Sequence, residues 1–159
     1  MKHTSFEDMN CSIAQSMEVI GERWSLLIIR DCFEGLRRFG QFQRKLGIAK
    51  NILSNRLNRL VEEEVLEKRP IDDGAQQEYV LTQKGFDLYP VLMSLMMWGD
   101  KYKANPKGTR VYFVDNETEQ PIQGLRIVGA NGDVLEADQV KQVAGPALGG
   151  KKIRKARKT

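Results

Sequence analysis

The chain is poor in the residues on which most site chemistry depends. Its 159 residues include one histidine, His3, and two cysteines, Cys11 and Cys32. A structural zinc site draws about four ligands from those types, and a Cys–His nucleophile needs both groups in contact. His3 lies near the N-terminus and the thiols are far apart, so neither a metal nor a catalytic pair is expected. There is no glycine-rich phosphate loop and no paired-carboxylate motif, so no enzyme activity and no cofactor is expected. Two separated cysteines make no disulfide framework of the secreted kind. No apolar run approaches the roughly 18 residues needed to cross a bilayer. The opening "MKHTSFEDMN" also lacks the apolar stretch of a secretory signal. The expectation is a cytoplasmic chain with no membrane association.

A strong charge imbalance is missing too. The formal net charge is +4, and "KKIRKARKT" alone supplies six positive side chains, Lys151, Lys152, Arg154, Lys155, Arg157 and Lys158. Without those six, acidic residues slightly outnumber basic ones. Nucleic-acid binding is therefore legible only in local patterning, and pI alone misleads. The tail itself is expected to be disordered. Three readings of it stay open: nonspecific affinity for DNA through counterion release, a solubilising end, or a remnant of recombinant expression.

What the chain does have is apolar periodicity. Ser12 with Gln15 fits a capping box and predicts a helix from Ser12 to about Phe33. Its apolar face holds Ile13, Met17, Ile20, Trp24, Leu27 and Ile28, with Gly21 weakening the middle and Gly35 ending it. A second helix covers about Phe39 to Leu46, with Phe39, Phe42 and Leu46 inward, and ends at Gly47. A third follows in "IAKNILSNRLNRL", where Ile52, Leu53, Leu57 and Leu60 form one stripe. Its other face carries Lys50, Asn51, Ser54, Asn55, Asn58 and Arg59. Asparagine is a mediocre helix former, since its amide competes for backbone groups. Three on one exposed face point to a purpose other than stability. Two helices joined by so tight a glycine-containing turn match a helix-turn-helix.

After Glu64 the period changes. "VLEKRPI" and "EYVLT" alternate, with turn chemistry in "DDGAQQ" between them. A hairpin directly after the helical pair makes a winged helix-turn-helix. The predicted fold is mainly α with a small β wing. A helix over about 83–103 follows, with Pro90 in a kink or an early turn. "LYPVLMSLMMWG" is apolar nearly all round, so two surfaces need cover. The same helix of a second copy is the preferred cover, which makes a homodimer, and complete burial in one domain is the alternative. Alternating segments and "ANGD" beyond Pro106 predict a small β appendage. The expected organisation is an N-terminal arm (1–10), the winged domain with its dimerisation helix (11–105), the appendage (106–145) and the basic tail (146–159).

The order of "IGERW", "RRFGQFQR", "LSNRLNRL", the wing and "LTQKG…L.PVL…WG", behind a leading Cys11, resembles the HxlR family of bacterial transcriptional regulators, relatives of MarR. The likeness covers about Cys11 to Gly99. Ser12 departs from it, standing where family members usually have proline. The resemblance implies a dimeric winged-helix protein that binds double-stranded DNA. The appendage resembles a C-terminal extension found in part of the family, without the cysteines that some such extensions carry.

The residue chemistry agrees. Asn pairs in bidentate fashion with adenine, and Arg or Lys with guanine, in the major groove. In this motif the start of the second helix meets base edges. That places Lys50, Asn51, Ser54 and Asn55 nearest the bases, and Arg56, Asn58 and Arg59 at phosphates. For Arg56 a pairing with Glu62 or Glu63, or a bracing role, is equally open. Arg37 and Arg38 precede the second helix and reach the backbone, helped by its amino end. Lys68, Arg69 and the wing tip around Gly74, Gln76 and Gln77 approach an adjacent groove, although Asp72 and Asp73 oppose that contact. Cys32 reads as an inert core thiol. Cys11, beside a helix start that favours thiolate, reads either as a redox or electrophile sensor, as in some HxlR relatives, or as a structural residue. The expected function is a homodimeric repressor on a pseudo-palindromic operator, controlled by a thiol or small-molecule signal. The competing reading is a winged-helix interaction or ligand-sensing module that does not read DNA.

Overall fold

The apolar period that opens the chain breaks where the sequence runs Gly21-Glu22-Arg23-Trp24. In the computed structural model, which describes residues 5–71 and 76–153, the segment forms two helices, α1 (Ser12–Ile20) and α2 (Ser25–Phe33). This corrects the single helix over 12–33. Trp24 sits at φ 84°, in the left-handed region, where a bulky side chain is strained. The break separates two stripes that looked continuous. Ile28 and Ile29 of α2 are fully buried, whereas Ile13 is 71% exposed, and Met17 and Leu27 are also exposed. Those three are corrections to the expected inward face. The capping box is another: Cys11, not Ser12, is the N-cap of α1, without a side-chain bond. Gln15 Nε2 instead donates to the carbonyls of Phe6, Glu7 and Met9 at 3.2, 3.0 and 2.9 Å. That ties the preceding segment to α1.

The next two helices, α3 (Phe39–Leu46) and α4 (Lys50–Glu62), form where their periodicity predicts. Gln41 Oε1 accepts the backbone N–H groups of Arg37 and Arg38 at 2.9 and 2.8 Å. Two otherwise orphaned donors at the start of α3 are thereby satisfied. Gly47 closes α3 at φ 63°, a conformation that glycine adopts without steric cost. Leu53, Leu57 and Leu60 of α4 are fully buried with Phe42, Ile28, Ile29 and Val65. Each such burial contributes about 1.5–3 kcal/mol, which sets the roll of α4 about its own axis. Ile52 falls outside that stripe and is exposed, a correction to the fourth apolar position.

The hairpin pairs β1 (Leu66–Ile71) with β2 (Gln76–Leu81), antiparallel, with Leu66 opposite Leu81 and Lys68 opposite Tyr79. Leu66 and Val80 join the core. The backbone N–H of Tyr79 donates to the Arg37 carbonyl at 2.7 Å, tying the wing to the segment before α3. The wing tip with Asp72, Asp73 and Gly74 lies outside the described residues.

The helix expected over 83–103 is two: α5 (Gln83–Phe86) and α6 (Tyr89–Tyr102). Pro90 is the second residue of α6, where a missing N–H removes no intrahelical bond. Thr82 starts α5 by accepting the Gly85 N–H at 3.2 Å and donating to the Glu64 carbonyl at 2.5 Å. Val91, Leu95, Trp98 and Tyr102 line an exposed apolar face of α6, while Leu92 and Met93 are buried.

One buried charge was not foreseen. Asp31 of α2 is fully buried; Arg30 Nε and Nη2 reach its Oδ1 at 2.9 and 2.6 Å, and Lys45 Nζ of α3 lies at 3.2 Å. Lys45 also bonds Glu34, which raises its pKa, with Asp31 adding to the effect. A carboxylate in this position links α2 to α3 through charge, because its burial is tolerable only when paired.

The chain divides into two compact units, residues 1–92 and 93–159, the boundary falling within α6. In the second, the appendage has a two-residue hairpin, β3 (Ile127–Val128) with β4 (Val134–Leu135), turning through "GANGD". A bridge joins Val114 to Pro121. The loop it closes is held by Asp115, whose carboxylate accepts the N–H groups of Glu117 and Thr118 and the Thr118 hydroxyl. Those bonds, Thr118's first, keep the Asp115 carboxyl below its ordinary pKa. Among the described residues no helix is long and apolar enough to cross a membrane. Arg154, Lys155, Arg157 and Lys158 of the basic tail lie outside the described residues; Lys151 and Lys152 are exposed.

Candidate nucleic-acid interface

Burying Leu53, Leu57 and Leu60 turns the opposite side of α4 to solvent. Lys50, Asn51, Asn55 and Asn58 are exposed there, and Ser54 is half-exposed. The face offers amides, which both donate and accept, beside one ammonium and one hydroxyl. Lys68 of β1 reaches across to it: its Nζ donates to Asn58 Oδ1 at 3.0 Å and lies 5.8 Å from the centre of the Tyr79 ring. The base of the wing and the outer face of α4 are thus one continuous surface.

The arginines sort into two groups. Arg56 turns away from the polar face: its Nε donates to the Arg23 carbonyl at 3.1 Å, and its Nη2 pairs with Glu22 at 2.5 Å. It braces the strained link at Trp24, with a partner on that link and not Glu62 or Glu63. Arg59 pairs with Glu63 at 2.8 Å and approaches Glu62 at 3.9 Å. Arg69 pairs with its near neighbour Glu67, Nε to Oε1 at 2.7 Å. To reach a phosphate, these three must exchange a carboxylate they already hold. By contrast, among the described residues no carboxylate pairs with Arg37, Arg38, Arg44 or Lys50. Of these four, Arg37, Arg38 and Lys50 stand at the starts of α3 and α4, and Arg44 lies in the last turn of α3.

Arg38, Gln41 and Arg44 on the α3 side face Gln76 and Gln77 of β2 across an open cleft of about 390 Å³. Arg44 was missed in the sequence. Its signal was the spacing from Arg38 and Gln41 along α3, which sets all three toward one side. An extended anion between α3 and the wing would meet two guanidinium groups and three amides.

A family model for HxlR-like helix-turn-helix proteins matches residues 19–107. The chain belongs to that family. It is a DNA-binding transcriptional regulator with a winged helix-turn-helix fold, and not an enzyme. An uncharacterised HTH-type transcriptional regulator of Mycobacterium bovis is 37% identical over 138 residues, 86% of this chain and 87% of that one. The crystal structure of PA1607, a transcription-factor candidate, is 42% identical and covers 89% of this chain and 100% of its own, with a TM-score of 0.82. YodB of Bacillus subtilis, a transcriptional regulator solved in its reduced form, is 29% identical over 59% of this chain and 95% of its own, with a TM-score of 0.51. The first two matches are too long to end at residue 107, so the likeness to these relatives runs on into the appendage.

The two thiols of this HxlR protein differ in kind. Cys11 is exposed at the start of α1, and Cys32 is partly buried. Burial pushes the Cys32 thiol up to about 12, Asp31 adds to the rise, and Arg37 opposes it. Cys32 is thus held as a neutral thiol, as expected of an inert residue.

Proposed function

We propose that this HxlR-type regulator acts in the cytoplasm as a homodimeric repressor on a pseudo-palindromic operator. The observation that carries the reading is the exposed face of Lys50, Asn51, Ser54 and Asn55 at the start of α4, held outward by three buried leucines. That end of the helix enters the major groove, with half-sites about one turn, roughly 10 bp, apart. Arg37 and Arg38 hold the phosphate backbone, as does Arg59 after leaving Glu63. Lys68, Arg69, Gln76 and Gln77 carry the wing's contacts. Arg56 supports α4 from within more than it touches DNA.

Binding of the full chain to its own upstream DNA, over a range of salt, tests the assignment. Asn51→Ala is expected to relax base preference by about 1–3 kcal/mol at one position. Arg59→Ala is expected to weaken all sequences alike and to flatten the salt slope by about one. Wild-type affinity and selectivity in both variants would refute these roles.

A thiol signal at Cys11 is the proposed control, supported by its exposure at the start of α1. At pH 7 a thiol of pKa about 12 is thiolate to only about one part in 10⁵, so Cys32 should stay unmodified while iodoacetamide labels Cys11. Mass spectrometry of the labelled chain checks this. Oxidant is expected to weaken operator binding of the wild type and leave Cys11→Ser unaffected. Equal responses would remove the redox proposal.

A further inference from the structure

Between the C-terminal end of α2, the segment leading into α3 and the wing lies a half-open cavity of about 370 Å³. That is within the range of small-molecule sites. Phe33, Leu36, Leu81 and Phe86 give it apolar walls, and Phe33 and Phe86 meet edge to face at 5.6 Å. Its polar groups have one sign. Arg37 and Arg69 both line it, yet only Arg69 is answered by a carboxylate, Glu67. Cys32 is kept neutral, and burial raises the Tyr79 phenol as well, so both can offer a proton and neither carries negative charge. Among the described residues no acidic side chain lines the cavity.

An uncompensated guanidinium over aromatic and aliphatic walls selects an anion with an apolar body. We propose that this cavity binds a small organic carboxylate, its carboxylate on Arg37 and its apolar end against Phe33, Leu36 and Phe86. The site is placed to affect DNA binding. Arg37 is a proposed phosphate contact, and its carbonyl holds the wing through the Tyr79 N–H at 2.7 Å. A carboxylate on Arg37 takes that cation from DNA and sits against the joint of the wing, so ligand and operator weaken each other by the same factor. This coupling rests on the DNA reading proposed above; the cavity's preference for an anion does not.

The test uses the full chain without DNA and follows 4-fluorophenylacetate by fluorine NMR beside its neutral amide, 4-fluorophenylacetamide. The acid is expected to bind saturably and the amide about tenfold more weakly, as befits loss of a charge-assisted bond. Arg37→Gln should reduce the acid to the affinity of the amide, and Arg37→Lys should retain most of it. No saturable binding of the acid, equal binding of acid and amide, or an unchanged Arg37→Gln would each overturn the site. Operator titrations of the wild type with and without the acid separate the two ideas. Operator binding that the acid weakens several-fold supports the coupling, and binding that it leaves unchanged overturns it. Acid binding by a protein that shifts no operator keeps the cavity and removes the DNA reading.

Discussion

Trp98→Asp is expected to convert the proposed dimer into a monomer and to lower operator affinity about a hundredfold or more, since two linked half-sites gain that much over one. The reason lies in α6. A helix of a small domain needs one apolar stripe, and α6 satisfies that need with Leu92 and Met93. Val91, Leu95, Trp98 and Tyr102 then recur at spacings of four, three and four, which is a second stripe on the same helix. Trp98 is 59% exposed and stacks obliquely on Tyr102 at 5.3 Å. An aromatic pair left in water on a helix that already buries Leu92 and Met93 calls for a partner surface, and an identical helix fits it by symmetry. An aspartate there would bring two like charges together across the two-fold axis. Because Trp98 adds little to packing within its own chain, circular dichroism should show an unchanged helix content. Sedimentation should show half the mass at micromolar concentration. A folded Trp98→Asp protein that stays dimeric would show that α6 is not the interface.

The parts of the fold legible in the sequence are those whose determinants are local. Phe39 to Leu46 and Lys50 to Glu62 each carry a full apolar stripe, and Gly47 between them supplies the left-handed residue that the turn requires. The hairpin was equally plain, from two alternating runs around a turn. The break between α1 and α2 was not, because apolar spacing continues through it and nothing in the local sequence demands a left-handed tryptophan. That conformation is held from outside the segment: Arg56, more than thirty residues on, takes the Arg23 carbonyl and Glu22. The same distance explains why Glu62 and Glu63 looked like its natural partners. Periodicity also fails to separate core from interface. Ile13, Met17 and Leu27 are apolar and correctly spaced, yet exposed, since a stripe that meets another surface is written in the same residues as one that meets the core. Asp31 was hidden for a third reason: a charge within an apolar helix is intelligible only once Lys45 of α3 is brought beside it.

The candidate site was legible as a face and less so as individual contacts. Exposure of Asn51 and Asn55 follows directly from the leucine spacing. Which arginines hold a carboxylate does not, because Glu22, Glu63 and Glu67 are assigned by side-chain reach. The result is a change of weight among cations of one sign. Arg37, Arg38, Arg44 and Lys50 can neutralise phosphate at once, whereas Arg59 must first part from Glu63, and a surface pair of that kind holds only about 0–1 kcal/mol. The exchange is cheap for Arg59. It is dearer for Arg56, whose loss would also release the Trp24 link.

Gly85→Ala is expected to destabilise the chain by about 3 kcal/mol, at the upper end of ordinary overpacking. Gly85 lies in α5 at an ordinary helical angle, so the demand for glycine comes from space and not from backbone conformation. A Cβ there would stand 2.3 Å from the Val65 carbonyl oxygen and 2.8 Å from Leu81 Cδ2. The leucine tip could turn aside. The carbonyl cannot, because it accepts the Thr82 N–H at 3.2 Å and Val65 itself is fully buried at the entry to β1. Separating the two backbones would also strain the bonds of Thr82 to Glu64 and Gly85, so α5 would leave its seat under the wing. Gly40→Ala supplies the contrast. Its Cβ would meet only the flexible end of Arg44 at 3.4 Å, and alanine favours a helix over glycine by up to about 1 kcal/mol. Urea unfolding should therefore show a large fall in midpoint for Gly85→Ala and none for Gly40→Ala, at similar slopes. Equal midpoints would mean that α5 can move away from β1 at little cost, and that "LTQKG" marks something other than this contact.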